Sequence, residues 1–234
     1  MERQGLGAVR VELNDHEYFD LCDDTTFNVL RGWIQGGLVA ALWCGTPCSG
    51  LTRARRGPPG GPLPAQLRSN EHVHGLPSLT GKDAAAVKLS NKLAARAFEL
   101  LKLAQRRQIP CGEENPQTSF LWSFPSRLRF LSVPGAMEHT VDYCACGRPF
   151  RARTKLVTCH FAPPKRLAEL RCRGRGVCDF SGKPHLELSG TRPRGGFYRA
   201  LKNRCPELLC RLLAQGMMDS YAAKRVSRRW NLMR

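Results

Sequence analysis

Apolar positions along the chain recur at two periods. Phe27, Leu30, Trp33 and Ile34 fall at helical spacing, with Asp24 or Thr25 placed to cap the start and Gly36-Gly37 to stop the helix. A longer helix is predicted over about 82–108, where Val87, Ala94, Ala97, Phe98, Leu101 and Ala104 share one face. Thr80-Gly-Lys-Asp83 reads as its capping box, Arg106-Arg107 fall in its last turn, and Pro110 lies beyond. Asn91 sits on or near the apolar face, as a satisfied core amide or as a group reaching a site. Leu208, Leu209, Leu212 and Leu213 predict a third helix over Pro206–Gln215. Strand-like runs are Ala8–Leu13, Leu38–Cys44, the segment from Ile109 into Glu114-Asn115-Pro116, Leu128–Val133, Met137–Tyr143 and the run through Thr154–Val157. Strand, helix and strand in alternation predict an α/β fold with a doubly wound, mostly parallel sheet, followed by a loop-rich carboxyl-terminal third.

Between Thr52 and Pro77 the pattern breaks. Arg53, Arg55 and Arg56 lead into Gly57-Pro-Pro-Gly-Gly-Pro-Leu-Pro64 and then Asn70-Glu-His-Val-His-Gly75. A loop this long inside a domain is either functional or a mobile surface excursion. The 234 residues suffice for one sizeable α/β domain with or without a small appendage. Lys and Arg number 37 against 19 Asp and Glu, a net charge of +18, which points to a polyanionic partner, nucleic acid first. No run is long enough to span a bilayer, and the amino terminus does not have the charged-then-apolar pattern of a signal peptide. Eleven cysteines scattered over so long a chain exclude a small disulfide scaffold. They read as reduced thiols of an intracellular compartment, the nucleus if the source is eukaryotic.

Three short motifs carry the candidate chemistry. Pro47-Cys48 follows the Leu38–Cys44 run. Pro47 fixes its own φ and biases Thr46 to an extended shape, so Cys48 stands on a stiff turn past a strand's carboxyl end, where α/β sheets bind ligands. Glu114-Asn115-Pro116 follows a later strand, 114 − 48 = 66 residues on. Gly147-x-Pro149 with Arg151 and Arg153 comes third. In chain order this set resembles the DNA cytosine-5 methyltransferases, with their Pro-Cys nucleophile, Glu-Asn-Val carboxylate and Gly-x-Pro-Gln-x-Arg-x-Arg motif. The phrase Trp43-Cys-Gly-Thr-Pro-Cys48-Ser49 is similar to methyltransferase-like domains of mobile-element polyproteins of protists. Here Pro116 stands for Val, Phe150 for Gln, and the arginines come one residue early.

The resemblance implies a class I S-adenosylmethionine-dependent methyltransferase-like fold and transfer of a methyl group to cytosine in DNA. It makes Cys48 the thiolate that adds to carbon 6, Glu114 the carboxyl group near ring N3, and Arg153, with Arg151 second, the donor to the base carbonyl. The target base is flipped out of the duplex. Arg53, Arg55, Arg56 and Asn115 are then substrate-binding, and the Gly/Pro loop closes over the base. Glu12, Asp20 and Pro47 fall where the methyl donor is bound. Too few residues precede Glu12 for the family's Gly-rich donor loop. The expected organisation is therefore a catalytic core over 1–160 truncated at its start, a loop-rich region with a returning helix over 161–218, and a basic tail over 219–234.

Cys172-x5-Cys178-x6-His185, with Cys159-His160 upstream, supplies four N/S ligands for a zinc site, or else buried thiols in a loop. Cys144-x-Cys146 is too close-spaced for a Cys-x-x-Cys pair and reads as packing. The alternatives to an active methyltransferase are an inactive relative, or a zinc-containing module acting as a basic nucleic-acid-binding protein.

Overall fold

Four strands form one sheet: β1 (Leu42–Gly45), β2 (Cys111–Pro116), β3 (Ala136–Asp142) and β4 (Arg153–Cys159), in the order β1-β2-β4-β3. The computed structural model describes residues 7–12, 15–58, 64–188 and 205–232. β1 and β2 run parallel, with Leu42 opposite Cys111 and Gly45 opposite Glu114. β4 runs antiparallel to both of its neighbours, with Pro116 opposite Thr154 on one side and Asp142 opposite Arg153 on the other.

The fold is therefore mixed α/β, and the expectation of a mostly parallel sheet is corrected: one parallel pair is continued by an antiparallel hairpin. Connection length decides this. A parallel crossover needs a dozen or more residues, usually a helix. The β1–β2 link contains α2 (Gly81–Arg106), whereas only the short turn around Tyr143–Cys146 and Gly147–Ala152 joins β3 to β4.

Successive strand residues face opposite sides, so the sheet has two apolar faces. Val157 and Cys159 meet Phe27 and Ile34 of α1 (Asp24–Gln35), Ala94 and Leu101 of α2, and Phe130 of α3 (Pro125–Leu131). On the other face, Val141 and Leu156 meet Leu209, Leu213 and Met217 of α4 (Glu207–Leu232), together with Phe161, Leu167 and Leu170. Among the described residues no helix is long and apolar enough to cross a membrane.

Local chemistry explains the remaining differences from expectation. The cap of α1 is Asp23, whose carboxylate accepts from the Thr26 N–H at 2.8 Å. The Thr80 side chain makes no capping bond, and Asp83 instead faces Arg55 at 3.5 Å. The expected strand at 8–13 is not formed over the described residues 7–12. Val9 there is exposed and Arg10 pairs with Asp15. Leu13 and Asn14 lie outside the described residues, as do 59–63 in the middle of the Gly/Pro loop. The run Leu128–Val133 falls mostly in α3, started by Pro125 at a first-turn position, where its missing N–H costs nothing. α4 continues past Gln215, and Gly216 within it lies against the Ala162 carbonyl and Phe161, where a Cβ would come within 3.1–3.2 Å.

A buried ion pair crosses the first core. Arg127 of α3 gives two hydrogen bonds to Glu113 of β2, at 2.5 and 2.8 Å, and both side chains are almost wholly buried. The Arg127 guanidinium also donates to the Ala94 carbonyl at 3.1 Å. Thr46 donates to Glu113 at 2.6 Å, so the same carboxylate holds the residue after β1. Removing one partner strands the other charge in the core. Arg127→Leu is expected to lower the unfolding free energy by about 3–5 kcal/mol, with Glu113→Leu/Arg127→Leu recovering most of it in denaturant titrations. A single-variant loss below about 1 kcal/mol would contradict this role.

Candidate functional site

The carboxyl ends of β1, β2 and β3 lie on one edge of the sheet, because β4 is antiparallel to both β2 and β3. The candidate residues gather along this edge.

At its first position stands the Cys48 turn. Thr46 is buried, Pro47 exposed and Cys48 half-buried; the Cys48 carbonyl accepts from the Leu51 N–H at 2.9 Å. Asn115 donates to the Thr46 carbonyl at 2.6 Å, tying the turn to the end of β2. The Asn115 Oδ1, buried, has no hydrogen-bond partner among the described residues. Glu114, beside Gly45 in the ladder, faces the opposite side of the sheet from Glu113. It accepts from the hydroxyls of Thr154 and Tyr143. Burial raises its pKa above the ordinary value, outweighing the lowering by those two hydroxyls. The structure thus ties the Pro47-Cys48 turn to the strand end that carries Glu114-Asn115 through the Asn115–Thr46 bond, while the Glu114 carboxyl lies on the other face of the sheet against Tyr143 and Thr154.

The loop after Cys48 is pinned by Arg68, 1% exposed. Its guanidinium donates to the Gly50 and Val73 carbonyls, Ser90 Oγ and Asn91 Oδ1, at 2.6–2.9 Å. Asn91 is thereby a satisfied amide, its own N–H₂ going to the His74 carbonyl. Burial lowers the Arg68 pKa to about 10. Arg53 lies over the Phe120 ring at 3.9 Å and donates to Asn70 at 2.6 Å. Arg53, Arg55, Arg56 and Arg68 line a cavity of about 480 Å³.

Arg151 and Arg153 occupy the third position. Arg153 starts β4 beside the end of β2, its carbonyl accepting from the Gln117 N–H. Its guanidinium makes two bonds of 2.9 Å to Asp142, which is fully buried, and one to the Cys172 carbonyl. Arg151 reaches the same carbonyl at 2.6 Å and Asp142 at 3.6 Å. Burial opposes the Asp142 charge, but Arg153, the Cys172 N–H and Arg151 hold its carboxyl below the usual range. Both guanidiniums are committed here rather than to Cys48 or Glu114.

Next to them, Cys144, Cys172, Cys178 and His185 place their ligand atoms within 4.8 Å of one another, a set that could hold a metal ion. The Cys172 Sγ lies 3.6 Å from His185 Nε2. Cys144 sits in the turn directly after β3. Cys172 is held by its N–H donating to Asp142 at 2.9 Å. Cys178 and His185 flank a turn closed by Cys178 N–H to the Lys183 carbonyl and Gly182 N–H to the Cys178 carbonyl, with Gly182 at φ 64. Burial works against the Cys178 thiolate, but the Phe180 and Ser181 N–H groups and the Ser181 hydroxyl bring its pKa down to about 6. Burial and the two neighbouring thiols raise that of Cys144.

Cys144, read from spacing as packing, is thus the fourth member. Its place directly after a strand, in a turn closed by Gly147, is the signal that spacing alone hides. Cys159 lies instead opposite Cys111 in the sheet, and His160 bonds the Gln105 carbonyl. Neither Glu12 nor Asp20 stands at the end of a strand, where a donor's ribose is held. Asp20 accepts from the Cys22 N–H at 2.7 Å.

Comparison with protein-family models, with curated proteins and with solved structures finds no match to the chain.

Two outcomes follow from the geometry. Cobalt(II) added to metal-free protein is expected to give the intense visible absorption of a tetrahedral thiolate site, lost in Cys144→Ser; an unchanged spectrum would remove Cys144 from the set. The raised Glu114 pKa means that the folded state holds this proton more tightly. Its contribution to stability is full below about pH 4.5 and is lost as pH rises through the folded-state value. Glu114→Gln should therefore match the native chain near pH 4 and exceed it in thermal stability near about pH 7. The reverse trend would contradict the burial argument.

Proposed function

We propose that the chain is a nucleic-acid-binding, cytosine-5 methyltransferase-like domain whose sheet edge receives an extruded cytosine. The observation that carries this reading is the Asn115–Thr46 bond, which ties the Cys48 turn to the end of the parallel strand that carries Glu114. The sheet order also supports it. A parallel pair continued by an antiparallel hairpin, with the last strand inserted next to the pair, is how sheets of the class I methyltransferase type end.

Cytosine's carbon 5 is a poor nucleophile. Addition of the Cys48 thiolate at carbon 6 breaks the 5,6 double bond and pushes its electron pair into the ring. Glu114, kept protonated more readily by burial, donates to ring N3 and stabilises the charge arriving there. Carbon 5 of the adduct is then nucleophilic. S-Adenosylmethionine, when bound, supplies an electrophilic methyl group. The net charge of +18 and the cavity lined by Arg53, Arg55 and Arg56 support a polyanionic partner, DNA by the family resemblance.

We take the metal to be zinc, since three thiolates and one imidazole are its preferred tetrahedral set. Four protein ligands leave no open position, so its role is structural. It ties the end of β3 to the 172–185 segment and to the arginines at the start of β4.

A second reading is a zinc-containing, basic nucleic-acid-binding protein without catalysis. It is favoured by the commitment of Arg151 and Arg153 to Asp142, which leaves the base carbonyl without its expected donor.

A donor-independent experiment separates the two. In deuterium oxide the carbon 6 adduct takes a deuteron at carbon 5, and loss of the original proton with expulsion of the thiolate returns 5-deuterocytosine. The native chain is expected to catalyse this exchange on a cytosine-containing oligonucleotide. Cys48→Ala should abolish it, and Glu114→Gln should slow it by about a hundredfold, read by mass spectrometry of the nucleosides. Binding without exchange would overturn the catalytic reading and leave the second.

A further inference from the structure

We infer that the 171–188 segment is itself a nucleic-acid contact, in which Phe180 stacks on an unpaired base. The inference rests on the nucleic-acid partner proposed above, not on the chemistry of Cys48.

Phe180 stands in the Cys178–His185 turn and is 48% exposed. Exposed large aromatics on mobile loops are common, but this turn is not loosely held. Its base is the Val177–Pro184 bridge, its closing bonds are those of Cys178 with Lys183 and Gly182, and both ends are metal-ligand candidates. Cys172 and Cys178 cluster with Cys144, and Leu188 packs on the core beneath α4, but among the described residues Phe180 belongs to neither cluster. A rigidly held aromatic in water has its ordering cost already met, which favours binding.

The charge around it is one-sided. Arg171, Arg173, Arg175 and Lys183 are all exposed, against Asp179 and Glu187 in the same segment. The Asp179 carboxylate is partly spent on the Arg173 N–H at 2.6 Å. Beside the turn runs a groove of about 780 Å³, lined among others by Arg148, Pro149, Phe180, Lys183, Leu186 and Glu187. A groove that carries Arg148 and Lys183, beside an exposed ring and the exposed arginines of the same segment, suits single-stranded nucleic acid: phosphates track the charge, and any base offers a face to the ring. Duplex DNA offers no free base face, so the partner is an unpaired stretch.

Position strengthens the inference. Cys144 follows β3 directly, and the end of β3 shares its sheet edge with the Cys48 turn and Glu114. Arg151 and Arg153, at the start of β4, bind the Cys172 carbonyl. The metal-ligating segment therefore stands at one end of the edge that receives the base, and the Arg53–Arg68 cavity follows the Cys48 turn at the other.

The test is fluorescence anisotropy of the full chain, zinc-loaded, with a labelled single-stranded oligodeoxynucleotide and with its blunt duplex. Phe180→Ala is expected to bind the single strand about tenfold or more weakly, and Phe180→Tyr to stay within about twofold of the native chain. The duplex affinity of Phe180→Ala should be unchanged. Arg175→Ala should make the salt dependence of single-strand binding shallower by about one in log–log slope. Metal content and melting temperature of each variant, expected to be native, exclude misfolding. Native single-strand affinity in Phe180→Ala, or an equal loss on the duplex, would overturn the stacking role alone. Failure of the native chain to bind either oligonucleotide would overturn the nucleic-acid partner itself.

Discussion

A single buried carboxylate organises this molecule. Glu113 sits in the middle of β2, faces the core beneath α2, and is neutralised by two bonds from Arg127. An uncompensated charge there is not tolerated, so α3 must dock where Arg127 reaches β2. The remaining lone pairs take the Thr46 hydroxyl. One ion pair therefore fixes three things: the seat of α3, the register of β2 against β1, and the start of the Cys48 turn. The next residue but one, Asn115, repeats the tie through the Thr46 carbonyl. The candidate nucleophile owes its position to polar groups buried behind it.

A second hub of the same kind lies at the other end of the edge. Asp142, fully buried, gathers Arg153, Arg151 and the Cys172 N–H. It is to the Cys144–Cys172–Cys178–His185 cluster what Glu113 is to the Cys48 turn. Both hubs are carboxylates on strands, Glu113 in the middle of β2 and Asp142 at the end of β3, and each holds a loop at the same sheet edge. Around them lie loop cations, Arg53, Arg55 and Arg56 on one side and Arg171, Arg173, Arg175 and Lys183 on the other. A polyanion lying along the edge would meet both.

Much of this was legible in the sequence and some was not, for identifiable reasons. α1 and α2 announce themselves by period and by glycine or arginine at their ends, and the Pro47-Cys48 turn by proline stiffness. The direction of the sheet could not be read from strand-like runs, since it depends on whether a helix separates them. α3 was hidden because Leu128 and Phe130 alternate with Arg127 and Arg129, a strand's pattern, while the structure buries Arg127 through a partner fourteen residues away. The sequence alone does not tell Glu113 from Glu114, although adjacent strand residues face opposite sides and one of them had to enter the core. Cys144 joined the cluster only because β3 delivers it beside a segment distant in sequence.

The central claim is that Cys48, alone among eleven cysteines, is set to attack a cytosine ring. An oligonucleotide bearing 5-azacytosine tests it most directly. After addition at carbon 6, the ring nitrogen at position 5 takes a proton and the adduct persists without any methyl donor. Intact-mass measurement followed by peptide mapping is predicted to show one adduct, on Cys48. No adduct, or one carried by any other cysteine, would contradict the claim.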